Sequence, residues 1–138
     1  IMCKVLIFSC ISVMLMTAAY GAPLSPSPEK GNILRTLISD LKILEKSSSK
    51  IHLDFYTPNE RQECSWQVLQ CYLKEMAILE YEIEDKDADN LKNIQKNLQR
   101  LMDLTPLGTG CKTCEASDKK EFSAFNRELS NFLISMLK

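Results

Sequence analysis

The sequence predicts an all-α fold, a four-helix bundle of up-up-down-down connectivity braced by two disulfides. Three observations carry this. Four stretches repeat apolar residues at helical spacing, the connections between them run long, short, long, and four cysteines are distributed as a C-x6-C pair at the second helix and a CxxC pair before the last one.

The first helix is expected over 33–46, where Leu34, Leu37, Ile38, Leu41 and Leu44 alternate with Arg35, Asp40, Lys42 and Glu45. Asn32 is its expected cap and Ser47-Ser48-Ser49 its stop. The Pro- and Ser-rich residues 22–31 read as a loose tail. In the long connection that follows, residues 51–56 alternate briefly and read as a short extended piece, and Thr57-Pro58-Asn59 signals a turn. The second helix is expected over 65–84, with Val68, Leu69, Tyr72, Met76, Leu79 and Ile83 as its buried stripe. After a short polar link, Asp89 is the expected cap of a third helix over 90–104, with Leu91, Ile94, Leu98, Leu101 and Met102 facing inward. Thr105-Pro106 and two glycines end it. Asp118 and Glu121 have capping-box spacing for a last helix over 119–137, whose stripe is Phe122, Phe125, Leu129, Phe132, Leu133, Met136 and Leu137.

Connection length constrains topology. A short second link makes the second and third helices antiparallel neighbours. The other two connections, of about 17 and 13 residues, can span the length of a helix at up to ~3.3 Å per residue. They therefore allow parallel pairs, and two such crossovers define the up-up-down-down arrangement.

Residues 1–21 have the layout of a secretory signal peptide: Lys4, an apolar run from Val5 to Met16, and the small-x-small site Ala19-Tyr20-Gly21. The run is short for a membrane span. Cleavage there would leave residues 22–138 as one domain. It would also remove Cys3, Cys10 and one basic residue, leaving a net charge near −2 and four cysteines. That balance does not point to nucleic acid or to membrane insertion. An even cysteine count in a secreted chain favours disulfides. Cys64 and Cys71 lie close to two helical turns apart and so share a face, and Cys111 and Cys114 share one if their segment is helical. Two rungs facing two rungs favour Cys64–Cys111 with Cys71–Cys114, although four cysteines allow three pairings. The competing use is a zinc or redox CxxC site, but a redox CxxC opens a helix beside a βαβ pattern, which is not visible here.

Catalytic patterns are missing. His52 is the sole histidine, with no Asp, Glu or Cys at ligand spacing, and reads as a loop residue. There is no Gly-rich phosphate loop, no GxSxG and no Asn-x-Ser/Thr sequon. Asp40, Glu75, Glu80, Glu82 and Glu84 fall on faces expected to be exposed. No enzyme activity, metal or cofactor is expected, and function is assigned to helix faces.

Several segments together carry a family resemblance. They are Leu37-Ile38-Ser39-Asp40-Leu41-Lys42, Phe55-Tyr56-Thr57, the C-x6-C before an acidic helix, and Cys111-Lys112-Thr113-Cys114-Glu115 before an amphipathic one. Over about 33–138 the chain resembles the interleukin-15 and interleukin-15-like cytokines of the interleukin-2/15/21 group, while Trp66 is more like interleukin-21. The resemblance implies a short-chain four-helix bundle cytokine, with each cysteine of the second helix bonded to one member of the CxxC. It further implies a secreted protein that gathers receptor chains to signal to lymphocytes. An interleukin-15 receptor alpha chain would meet Tyr56, Glu75, Ile78 and Glu82. An interleukin-2 receptor beta chain would meet Asp40 and Asn93. The common gamma chain would meet the last helix, where the family's glutamine falls at Ile134 or Ser135, neither a like replacement. The alternative from another class is a secreted helical carrier, which would need an unfilled cavity on the order of several hundred Å3.

Overall fold

In a computed structural model the described residues are 28–59 and 62–138. The expected signal segment and most of the expected tail lie outside them. Four helices form: α1 (Pro28–Glu45), α2 (Ser65–Leu79), α3 (Ala88–Asp103) and α4 (Phe122–Leu137). Two short strands, β1 (Asp54–Thr57) and β2 (Asp118–Glu121), lie in the long connections.

The helices pack as α1 on α3, α1 on α4 and α2 on α3. Hydrogen bonds give the directions. Asn90, early in α3, donates to the Asp40 carbonyl late in α1, while Arg100, late in α3, reaches Glu29 at the start of α1. Asn126, early in α4, donates to the Leu41 carbonyl. Both α3 and α4 thus run against α1. Gln62, just before α2, bonds Ser135 near the end of α4, so α2 also opposes α4. The result is up-up-down-down, a helical cytokine bundle.

The expected stripes meet in one core. Leu34, Leu37, Leu41, Leu44, Leu69, Met76, Leu79, Ile94, Leu98, Phe125, Leu129 and Leu133 are fully buried. An aromatic cluster closes one side: Phe55 of β1 lies 5.1 Å from Phe125 and 6.1 Å from Phe122, and Tyr72 lies 5.0 Å from Phe125, centroid to centroid. A strand in a loop connection therefore supplies a core side chain, and such offset and edge contacts add to plain burial.

Four boundaries differ from the sequence expectation. Among the described residues α1 already includes Pro28, ahead of the start expected beyond Asn32. Proline tolerates the first helical position because its missing N–H would be unpaired there anyway, and Glu29 suits the positive end of the helix. α2 ends at Leu79, short of 84, because the chain tightens: Tyr81 N bonds Ile78 O and Glu82 N bonds Leu79 O. α3 starts at Ala88, which puts Asp89 inside the first turn instead of at the cap. α4 starts at Phe122, and Asp118–Glu121, expected as a capping box and first turn, is strand β2. There Asp54 faces Glu121, Phe55 faces Lys120, Tyr56 faces Lys119 and Thr57 faces Asp118, antiparallel. Pairing across the molecule overrides the local helix signal.

Disulfides join Cys64 to Cys111 and Cys71 to Cys114, with Cα–Cα distances of 5.8 and 5.2 Å. They hold the second crossover against α2. Gln67 adds a two-way bond to the Gly108 backbone, and Gly108 approaches Glu63 so closely that a Cβ there would lie 2.2 Å from its carbonyl oxygen.

Candidate functional site

The first crossover runs along α2 and is tied to it by two carboxylates. Glu75 Oε1 accepts from Tyr56 N at 2.9 Å. Glu82 Oε2 accepts from His52 N and Leu53 N, each at 3.1 Å. The earlier end of the crossover is fastened to the α2–α3 link, where the Ser47 hydroxyl donates to Asp87 and Lys50 pairs with Glu84 at 2.6 Å. That exposed ion pair holds the Lys50 ammonium's pKa up and the Glu84 carboxyl's pKa down, chiefly through its hydrogen bond. From the other side, β2 pairs with β1 and Lys119 Nζ sits 4.9 Å above the Tyr56 ring, a cation–π contact. Cys71–Cys114 and the Lys74–Glu115 pair anchor the segment just before β2.

These ties correct one sequence expectation. Glu75 is not on an exposed face but 3% exposed. The crossover covers it because its carboxylate satisfies a loop amide that would otherwise lack an acceptor. Tyr56 and Glu82 are half-buried, whereas Ile78, one turn from each glutamate, is 42% exposed. Two residues that the sequence did not single out join them. Leu53, brought to Glu82 by its amide, is 41% exposed, and Tyr81 is 89% exposed. A surface with this much large apolar area exposed is the kind that meets a partner. Nothing in the local sequence marks Leu53; only the bond to Glu82 places it here.

The remaining expected contacts fall on two other faces. Asp40 lies on α1 beside Asn90 of α3, and Asn93, one turn further along α3, is exposed. Partial burial pushes the Asp40 carboxyl's pKa upward. Ile134 on α4 is exposed at 42%, while Ser135 is half-buried, donates to the Phe132 carbonyl and accepts from Gln62. His52 is an exposed loop residue whose backbone, not its ring, is engaged by Glu82. Among the described residues no helix is long and apolar enough to cross a membrane.

Four helices in this order, two long crossovers and the paired disulfides define a helical cytokine. Comparison with protein families narrows the class: the model for interleukin 15 matches residues 5–137, and the chain belongs to that family. It is also similar to interleukin-15 of Felis catus, 27% identical over 101 residues, which is 64% of this chain and 59% of that relative. The aligned stretch is thus less than two thirds of the relative's length. The family is one of cytokines, not enzymes.

Proposed function

We propose that this chain is a secreted cytokine that presents three faces to three receptor chains and transmits a signal to lymphocytes by gathering them. An alpha chain would occupy the face made by α2 and the first crossover, with Tyr56, Ile78 and Glu82 in contact and Glu75 beneath. A beta chain would take Asp40 and Asn93 on the α1–α3 face, and the common gamma chain would take α4 near Ile134 and Ser135. Secretion is supported by the signal-like pattern of residues 1–21. The observation that carries the alpha assignment is the apolar group Leu53, Ile78 and Tyr81 beside the half-buried acid Glu82. Such a surface suits a partner with an apolar contact ringed by basic groups, since opposite charge speeds encounter and fixes orientation.

The test is a binding panel of the purified protein against soluble receptor ectodomains of the interleukin-2/15/21 group. Tight binding to an interleukin-15 receptor alpha ectodomain is expected. Glu82→Lys should weaken it by about tenfold or more, ~1.4 kcal/mol. Asp40→Lys should leave it unchanged and reduce beta-chain binding instead. If no ectodomain of the group binds, or if Glu82→Lys binds the alpha chain as the native protein does, the assignment falls.

A further inference from the structure

We infer that Glu75 and Glu82 are positioning residues: the paired carboxylates of α2 set the backbone of residues 52–56, and through it the side chains offered to a receptor. The consequence for binding rests on the receptor reading above; the tether itself does not.

The spacing of the anchors argues for this. The two glutamates are seven residues apart, about 10.5 Å of helical rise. Their targets, Leu53 N and Tyr56 N, are three residues apart, about 10 Å of extended chain. The crossover can therefore lie antiparallel along this side of α2 with both anchors engaged and no slack between them. The chemistry agrees. Among the described residues β1 pairs only with β2, so its alternate amides lack a ladder partner, and Glu75 accepts from one of its amides, that of Tyr56. A side-chain oxygen there does the work of a third strand's carbonyl.

Burial decides between contact and support. At 3% exposure Glu75 has almost no surface to offer another protein, and among the described residues it forms no ion pair. Glu82 is half-buried, and one of its oxygens already serves two amides. Meanwhile the residues they hold, Leu53 and Tyr56, are bonded to the glutamates that flank exposed Ile78 in the chain. Glu75 thus acts on a partner by removing the freedom of this segment before the encounter, which lowers the ordering cost of binding, and Glu82 adds the same restraint beside the contact it makes itself.

Glutamine separates the two roles, since Glu→Gln keeps an acceptor oxygen and removes the charge. Glu75→Gln, Glu75→Ala, Glu82→Gln and Glu82→Ala would be compared by amide hydrogen exchange and by affinity for the alpha-chain ectodomain. Each alanine should speed exchange at its own target, Tyr56 for Glu75 and His52 with Leu53 for Glu82, by about tenfold or more. Amides of α3 should remain as protected as in the native chain. Alanine should weaken binding about tenfold, and glutamine should hold exchange within about threefold of native at both sites and affinity within about threefold at Glu75, which lies beneath the contact. The inference is overturned if Glu75→Gln loses affinity as badly as Glu75→Ala while the Tyr56 amide stays protected, which would make the Glu75 charge a direct contact. It is equally overturned if alanine leaves the target amides unchanged. Should the native protein not bind the ectodomain, the receptor reading fails and the exchange measurements alone decide the tether.

Discussion

Tyr72 and Asn126 show how single buried polar groups are tolerated in this core. The Asn126 amide donates to the Leu41 carbonyl and to Glu45, which also takes the Ser123 hydroxyl, so the end of α1 is stitched to the start of α4. The Tyr72 hydroxyl is buried without a hydrogen-bond partner among the described residues. Tyr72→Phe should therefore cost little or nothing, within about 1 kcal/mol and in the stabilising direction, because it removes a desolvated group that no bond repays. Urea unfolding at pH 7 checks this. The same residue gives a pH signature. Burial, with a smaller push from the Glu128 carboxylate, raises the Tyr72 pKa well above the ordinary value for tyrosine. The folded state then keeps the phenolic proton where the unfolded chain has shed it. The penalty is absent below about pH 10 and grows as pH rises above it. Tyr72→Phe should accordingly resist alkaline unfolding better than the native protein. Glu75 teaches the opposite lesson for reading residues: a glutamate beside an apolar stripe looks like a solvated surface charge until a distant loop amide is found to need it.

At the scale of elements, β1 and β2 are where the local pattern misled most and the structure adds most. Asp118 and Glu121 carry the spacing of a helix start, yet the segment pairs as a strand because its partner, over sixty residues away in sequence, is folded beside it. The brief alternation over 51–56 did announce an extended piece, with Phe55 the residue that enters the core at 0% exposure. Phe55→Ala should destabilise the protein by about 3–5 kcal/mol, the range for a buried aromatic truncated in a close-packed site. The loss should appear in thermal or urea unfolding with the helix content of the folded protein retained. A loss under about 1 kcal/mol would mean that β1 is an ornament of the loop and not part of the core.

For the whole molecule, the two crossovers and the disulfides are one device. Each bridge closes a long stretch, 47 and 43 residues apart in sequence. A loop of that size corresponds to about 4 kcal/mol by the chain-entropy estimate. Against a total stability of about 5–15 kcal/mol for a domain of this kind, the bridges are a large share. Reduction of both should lower the melting temperature by at least about 15 °C, read by circular dichroism with and without reductant. A melting temperature that reductant does not move would show that helix packing alone sustains the fold.

What the sequence by itself determined is what local periodicity and spacing can encode: four amphipathic helices, the long-short-long connections, the apolar stripes and the up-up-down-down order. The helices, stripes and connections follow from 3.6-residue repeats and connection length, which operate within a few turns, whereas the cytokine family was legible only as a resemblance in particular motifs. Only the tertiary structure decided the features that depend on distant partners. The β1–β2 register, the burial of Glu75 and the place of Leu53 beside Glu82 each hinge on a bond between residues far apart in the chain. Such bonds leave no local trace, because a carboxylate or a strand edge has the same composition whether or not its partner has arrived.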